Sequence, residues 1–87
     1  MKYTYAAVFT PEENGLVSVS FPDLDGCYTS GDDIADAVFM AQDALNLTLY
    51  DLEQDKKPIP KASKPQDIIV TGEQFISVIA VDTEIHH

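Results

Sequence analysis

Arginine and tryptophan are absent from this sequence of 87 residues, and lysine is scarce. Five lysines stand against fifteen aspartates and glutamates, so the formal net charge is −10 at pH 7. Eleven of the acids fall in residues 1–55, where Lys2 is the one lysine, and the other four lysines lie within residues 56–64. Phosphate binding needs clustered lysine or arginine, so the composition argues against a nucleic-acid-binding body. It favours a basic protein partner, and solubility alone is the alternative explanation.

Cysteine, histidine and long apolar runs are also scarce. Cys27 is the one cysteine, so no internal disulfide forms, which fits a reducing compartment. The two histidines, His86 and His87, end the chain and are typical of a purification tag. They are not at metal-ligand spacing from the cysteine, so neither a metal nor a cofactor is expected. Without a long apolar run or a secretion signal, we expect a cytoplasmic protein with no membrane contact.

Aromatic and β-branched residues at a period of two predict strands near the N-terminus. Residues 2–10 and 16–21 alternate in this way, and Asn14-Gly15 between them is typical of a hairpin turn. Residues 27–30 suit a brief third strand. The chain therefore begins with a predicted three-stranded antiparallel unit.

Apolar residues at spacings of three and four predict one long helix from Asp33 to about Asp55. Asp33 is the expected N-cap, with Asp36 three residues on as in a capping box. The apolar positions that define the predicted buried face are Ile34, Val38, Ala41, Leu45, Thr48 and Leu52.

The remaining chain predicts an exposed connection followed by a strand. Three prolines and four lysines in residues 56–65 describe an extended segment. Residues 75–81 are almost continuously apolar, as in a strand that is covered on both faces or paired inside a sheet. Residues 68–70 are the candidate for a separate short strand.

The predicted element order is β-β-β-α-β, an α+β domain with one long helix on one face of a mostly antiparallel sheet. A right-handed crossover through the helix would let the last strand lie parallel to the first. So short a chain has no second helix to cover the other sheet face. A homo-oligomer, either a dimer or a tetramer, is therefore expected.

Catalysis has little support in the sequence. A two-metal nuclease needs several carboxylates that converge from strands, yet the first two predicted strands hold no acid and Asp82 is the one candidate at the end of the last. A Cys27 nucleophile would need a nearby base, and the histidines are terminal. We expect a protein that is not an enzyme.

One stretch carries a family resemblance. Residues 21–32, "FPDLDGCYTSGD", lie between the hairpin and the helix and resemble the Phe-Pro-Asp-Leu-x-Gly-Cys-x-Thr-x-Gly-Asp run of HicB antitoxins. The helix after them, "IPKAS" and "FISVIAVD" are similar to later segments of that family. The resemblance covers nearly the whole chain.

The resemblance implies a partial RNase H-like fold without nuclease activity. It also implies an antitoxin of a type II toxin–antitoxin system, which binds and blocks a small basic HicA-like mRNA endoribonuclease. The acidic charge would then complement the basic RNA-binding face of that toxin. The alternatives are an orphan HicB-like oligomeric binding domain and, less favoured, a metal-dependent RNase H-like nuclease.

Charge and expected exposure place the toxin-binding residues at Asp23, Leu24, Asp25 and Asp32. An alternative face is the helix surface with Asp43, Asp51 and Glu53. A structural role is expected for the rest of the signature, namely Phe21, Pro22, Gly26, Cys27, Gly31 and Asp33.

Residues 1–82 are expected to form the toxin-neutralising domain, and residues 83–87 a tail that is in part tag-derived. Family members usually continue into a C-terminal DNA-binding module, and nothing basic or helical follows Asp82 in this sequence. DNA binding by these residues is therefore not expected.

Overall fold

The computed structural model describes residues 1–84 and contains four strands and one long helix. The strands are β1 (Lys2–Pro11), β2 (Val17–Ser20), β3 (Tyr28–Gly31) and β4 (Phe75–Asp82). The helix α1 spans Ile34–Gln54, and a short 3-10 helix spans Pro65–Asp67. The predicted α+β order is confirmed. The predictions for His86 and His87 lie outside the described residues. Within residues 1–84, no helix is both long and apolar enough to cross a membrane.

The four strands form one sheet in the order β3-β2-β1-β4, with every neighbouring pair antiparallel. The predicted hairpin and third strand are confirmed by the β1–β2 and β2–β3 pairings. The prediction that β4 lies parallel to β1 is wrong, because Lys2 pairs with Asp82 and Phe9 pairs with Phe75. The expectation that the last strand is covered on both faces or paired inside a sheet is also wrong, because β4 is an edge strand and Val78 on one of its faces is 50% exposed.

The long connection between α1 and β4 explains the antiparallel direction. Glu53, at the end of α1, hydrogen-bonds to Tyr3 at the start of β1, whereas Gln74, just before β4, hydrogen-bonds to Thr10 at the other end of β1. Residues 55–74 therefore run the length of the sheet before β4 begins, and twenty residues in extended conformation reach about 66 Å, well beyond that length. In this connection residues 68–70 form no strand.

Helix α1 covers one face of the sheet and defines the core. Ala37, Ala41, Leu45 and Leu49 are fully buried and repeat at spacings of four, which is the spacing of one helical stripe. They meet the face of the sheet that carries Phe9 and its neighbours. The predicted buried face is confirmed in its middle and wrong at its start, since Ile34 is exposed.

No second long helix covers the face of the sheet away from α1 within residues 1–84, and we call it the open face. It is only partly exposed, because Ala6 and Val8 on β1 are buried whereas Val78 on β4 is 50% exposed. Val8 pairs with Ile76, and Ala6 pairs with Val78 on this open face. Hydroxyl side chains occupy much of the β2–β3 side, where Ser20 pairs with Tyr28 and Ser18 with Ser30. An antiparallel sheet can leave one face in water, and its hydroxyl half suits that role.

Candidate functional site

The loop between β2 and β3, residues 21–27, is a compact turn built around the signature motif. The Phe21 N–H donates to the Cys27 carbonyl at 3.0 Å, and the Leu24 N–H donates to the Phe21 carbonyl at 3.0 Å. Gly26 has a φ of 74°, a left-handed conformation that favours glycine. The expected architectural roles of Phe21, Gly26 and Cys27 remain consistent with these contacts, while Pro22 is exposed.

Asp23 fastens this loop to the connection that follows α1. Its carboxylate accepts hydrogen bonds from the Ser63 backbone N–H at 2.8 Å and from the Ser63 hydroxyl at 2.6 Å. Both carboxylate oxygens are thus engaged within the chain, and charge-assisted bonds of this kind are among the stronger ones. Asp23 therefore holds two segments together, which differs from the free acidic group that the sequence suggested.

The three other residues predicted to bind the toxin are placed differently from one another. Leu24 is buried in the core, because the turn of residues 21–27 directs its side chain inward, so the expectation that it is exposed is wrong. Asp25 and Asp32 are exposed. They do not form one cluster with Leu24, and they flank the loop and the helix start respectively.

The start of α1 is closed by a reciprocal cap. The Asp33 carboxylate accepts from the Asp36 backbone N–H at 2.7 Å, and the Asp36 carboxylate accepts from the Asp32 backbone N–H at 2.9 Å. Carboxylates at a helix N-terminus also oppose its positive dipole end. The predicted N-cap is confirmed. Gly31 lies directly beneath this turn, in contact with the backbone of Ala37.

The solvent side of α1 carries large apolar side chains among acids. Phe39 is 68% exposed and Leu47 is 61% exposed. A side chain recurs on one side of a helix every three or four residues, so these two share a face with the exposed Asp43 and Asp51. We call this the outer helix face, and its members are Asp36, Phe39, Met40, Asp43, Leu47, Tyr50 and Asp51.

Glu53, the third acid of the alternative face, does not belong to the outer helix face. It accepts a hydrogen bond from the Tyr3 hydroxyl at 2.7 Å. Hydrogen bonds from Thr83 and Tyr3 lower the pKa of Glu53. The same bond to Glu53 raises the pKa of Tyr3 to about 12. Glu53 thus joins the end of α1 to the start of β1. These structural contacts explain the shifted pKa values of both Glu53 and Tyr3.

Asp82, the one carboxylate at the end of a strand, lies beside the chain's own N-terminus. Its Oδ1 is 3.3 Å from the Met1 ammonium and accepts from the Glu84 backbone N–H at 3.0 Å. The hydrogen bond from Glu84 and the Met1 ammonium lower the pKa of Asp82. Among residues 1–84, no three histidine, cysteine, aspartate or glutamate side chains converge as a metal site.

Cys27 is a buried thiol beside the middle of α1. Its Sγ accepts from the Thr48 hydroxyl at 3.4 Å and lies 3.9 Å from the Ala44 carbonyl. Burial raises the pKa of Cys27, which disfavours the reactive thiolate. The side chain packs the signature loop against the helix.

A groove of about 280 Å³ runs between α1 and the end of β4. The helix contributes Phe39, Gln42, Asp43 and Asn46, and the strand contributes residues 80–82. The Asn46 side-chain amide donates to the Asp82 carbonyl at 3.5 Å. The groove therefore adjoins both the outer helix face and the free edge of the sheet.

A family comparison identifies the chain. Residues 4–78 match the family described as the HicB-like antitoxin of bacterial toxin–antitoxin systems. This chain belongs to the HicB-like antitoxin family. The match spans all four strands in part or whole and the entire helix α1, so it covers the fold described above.

Individual relatives agree with this assignment. A protein of 14.9 kDa from the rep–hol intergenic region of Haemophilus phage HP1 is 31% identical over 71 residues, which are 79% of this chain and 53% of the phage protein. The chain thus spans about half the length of this curated relative. A toxin–antitoxin complex from Streptococcus pneumoniae contains a chain with 26% identity and a TM-score of 0.84, and the match covers 97% of this chain and 71% of that chain.

The N-terminal domain of the antitoxin HicB from Burkholderia pseudomallei shares the fold at lower identity. Its TM-score is 0.80 at 15% identity, with 92% of this chain and 99% of that domain covered. The fold shared with this domain therefore includes the single helix and the four-stranded antiparallel sheet on which it packs.

The outer helix face was only partly found from the sequence. Asp43 and Asp51 are named in the sequence analysis as an alternative face, but Phe39 and Leu47 are not named with them. The signal was present, because both lie opposite the stripe of Ala41 and Leu45 when positions are projected at 3.6 residues per turn. Charge alone drew attention to the loop instead.

Proposed function

We propose that this HicB-like chain is the neutralising domain of an antitoxin and binds a small, basic, HicA-like endoribonuclease toxin. Binding would cover the toxin's RNA-binding face without any reaction catalysed by the antitoxin. The proposal includes action in the cytoplasm, where such a toxin meets its mRNA. Family membership and the likeness to a chain of a toxin–antitoxin complex support this role.

The observation that carries the proposal is the outer helix face. Exposed apolar patches on small proteins commonly mark interaction sites, and Phe39 and Leu47 are both more than half exposed. On the same face, Asp43 lies between Phe39 and Leu47, and Asp51 lies one turn beyond Leu47. Aromatic and aliphatic anchors supply most of the binding energy of an interface, while surrounding acids would steer and select a basic partner.

Asp25 and Asp32 are proposed as a second, acidic contact at the edge of this face. Cys27 contacts the middle of α1, so the loop that holds Asp25 packs beside the helix. Asp32 immediately precedes the helix start. Asp23 and Leu24 would act through the shape of the loop, since one is bonded to Ser63 and the other is buried.

The test is co-purification of the chain with the small basic protein encoded by the neighbouring reading frame, followed by titration of the two proteins. Asp43→Lys with Asp51→Lys changes the charge by +4, and Glu13→Lys with Glu73→Lys is a matched +4 control in two exposed turns. We expect the first pair to weaken binding by about tenfold or more and the control by less than about threefold. Asp25→Lys with Asp32→Lys tests the second contact with the same charge change.

Two outcomes would contradict the proposal. Equal losses from the helix pair and the control pair would mean that only net charge matters and that the outer helix face is not the interface. Failure of the wild-type chain to bind the basic protein at low salt would contradict the antitoxin role itself. Binding should also weaken as salt rises, because added ions screen attraction between opposite charges.

We also propose that the chain self-associates, as either a dimer or a tetramer. The open face of the sheet supports this, because Val78 on β4 is 50% exposed.

A further inference from the structure

The groove between α1 and β4 brings together an exposed aromatic ring, an exposed carboxylate and the edge of the sheet. Phe39, Asp43 and Asn46 follow one another at spacings of four and three along α1, so they form one stripe of the helix. The Asn46 side-chain amide donates to the Asp82 carbonyl at 3.5 Å, which joins this stripe to the end of β4. Phe39 is 68% exposed, and Asp43 is exposed one turn further along. The groove therefore opens to solvent beside a ring and a carboxylate.

The edge of β4 supplies this groove with backbone groups. The Thr83 N–H donates to the Met1 carbonyl at 3.0 Å, and hydrogen-bonded pairs alternate with non-bonded pairs along an antiparallel ladder. Ala80 therefore directs its N–H and C=O away from β1. The Asp82 carbonyl, two residues further on, points the same way, since it accepts from Asn46. Within residues 1–84, the outward C=O of Ala80 accepts no hydrogen bond and is available to a ligand in the groove.

The size and lining of the groove suit one long side chain. Its volume is about 280 Å³, just below the range of about 300 to 1,000 Å³ that is usual for pockets that enclose small molecules. Phe39 and Val81 line it with apolar surface, whereas Gln42, Asp43 and Asp82 line it with oxygen atoms. A side chain with an apolar stem and a positively charged tip matches both parts of this lining, as in lysine and arginine.

Charge also favours a cation in the groove. Asp43 and Asp82 are the titratable residues of its lining, and both are acids. The Oδ1 of Asp82 is engaged by the Met1 ammonium and the Glu84 N–H, so Asp82 adds negative potential. Within residues 1–84, Asp43 forms no ion pair, so its exposed carboxylate is available to a partner. The four lysines of residues 56–64 follow the opposite end of α1.

We propose that this groove binds one arginine side chain of a basic partner protein, with the guanidinium stacked on Phe39 and hydrogen-bonded to the Asp43 carboxylate and the Ala80 carbonyl. The proposal rests on the proposed function, because the arginine belongs to the toxin that contacts the outer helix face. A guanidinium is planar and carries five N–H donors at its rim, so it can lie on a ring and still reach acceptors on two elements. The ammonium of lysine is compact and strongly hydrated, so it suits this geometry less well.

The first experiment uses the chain alone with a small probe. The tripeptide glycyl-arginyl-glycine, blocked at both ends, is titrated into the isotope-labelled chain and followed by NMR. The matched probe is the blocked tripeptide glycyl-lysyl-glycine, which carries the same charge. We expect saturable shifts centred on Phe39, Asp43 and Ala80, with a dissociation constant about two- to fivefold lower for the arginine peptide than for the lysine peptide.

Two pairs of variants separate the ring and the carboxylate from the net charge of the chain. Phe39→Tyr keeps an aromatic ring and should retain the preference for arginine, whereas Phe39→Leu should lose it. Asp43→Asn and Glu13→Gln each remove one negative charge, and Glu13 lies in the exposed turn between β1 and β2. Asp43→Asn should weaken binding of the arginine peptide about threefold or more, and Glu13→Gln by less than about 1.5-fold. The three replaced side chains are exposed, and the NMR spectrum checks that each variant is folded.

A double-mutant cycle then identifies the arginine in the basic protein encoded by the neighbouring reading frame. Each arginine of that protein is changed to lysine in turn, and binding is measured to the wild-type chain and to Phe39→Leu. One of these changes should weaken binding to the wild type about two- to fivefold and have a much smaller effect with Phe39→Leu, because both substitutions remove the same contact. Arginines that lie elsewhere should give equal losses with both chains.

Peptide shifts spread evenly over the exposed acids, or equal affinities for the arginine and lysine peptides, would overturn the proposal. A basic protein that binds the chain while none of its arginines couples to Phe39 would also overturn it. Both results leave toxin binding by the outer helix face intact. An arginine peptide that fills the groove, together with a basic protein that does not bind, would overturn the antitoxin role and retain the arginine site.

Discussion

Replacing Gly31 with alanine tests how the signature motif joins the sheet to the helix. Gly31 is the last residue of β3, and the start of α1 crosses directly over it. A Cβ at this position would lie 2.3 Å from the Ala37 nitrogen, 2.6 Å from the Ala37 Cα and 2.8 Å from the Asp36 carbonyl carbon. All three neighbours are backbone atoms, so no side-chain rotation can relieve the contact.

The size of the effect follows from these distances. Ordinary contact begins at 3.4 Å, and 3.4 minus 2.3 requires a movement of about 1.1 Å at the helix start. That movement would loosen the Asp33 cap and the fully buried Ala37. Overpacking of a rigid site costs about 1 to 3 kcal/mol of unfolding free energy. Because this clash involves only backbone atoms, we expect a loss of about 3 kcal/mol. For a domain of this size, such a loss lowers Tm by roughly 12 to 24 °C.

The assay is thermal and urea unfolding at one fixed protein concentration, with Gly26→Ala as the control. Gly26 belongs to the same motif and has a φ of 74°, but its missing Cβ would meet nothing within 4 Å. Alanine there bears only the cost of a left-handed conformation, about 1 to 2 kcal/mol. If Gly31→Ala loses no more stability than Gly26→Ala, the close approach of strand and helix is not what requires glycine at residue 31.

Two further predictions concern the helix and the tyrosine beside it. Leu45→Ala, at a fully buried position, should lower the free energy of unfolding by about 2 to 5 kcal/mol. Leu47→Ala on the outer helix face should change it by less than about 0.5 kcal/mol. Urea unfolding measures both, and similar losses from the two variants would contradict the assigned faces. Glu53→Gln should bring the pKa of Tyr3 down from about 12 toward 10.0, measured by NMR of labelled tyrosine, and an unchanged pKa would remove Glu53 as the cause. Folding raises the pKa of Tyr3, so the protonated Tyr3 hydroxyl contributes stability that is present below pH 10 and is lost as the pH rises toward about 12. We expect this loss of stability in the wild type and not in Glu53→Gln.

The sequence allowed prediction of most local structure because local rules govern it. Alternation of aromatic and β-branched residues located β1 and β2, and the spacing of Ala41 and Leu45 located the buried side of α1. Asp33 was recognisable as an N-cap because its carboxylate satisfies a backbone N–H three residues away. Each of these signals acts within a few residues of its cause.

The candidate site was less predictable because exposure depends on distant segments. Asp23 looked like a free acid in the sequence, but Ser63, forty residues further on, occupies its carboxylate. Leu24 sits between two acids and is nevertheless buried, since the loop turns it inward. Charge marks a surface in the sequence, but only packing decides which acids remain available to a partner.

The sequence by itself determined the element order, the helix cap, the acidic charge and the family to which the chain belongs. Tertiary structure alone decided the direction and position of β4. Its apolar residues predict an inner strand, yet residues 55–74 carry the chain along the whole sheet and leave β4 antiparallel at the edge. The reason is physical: strand propensity is local, whereas the direction in which a strand is added depends on where a long connection brings the chain back to the sheet.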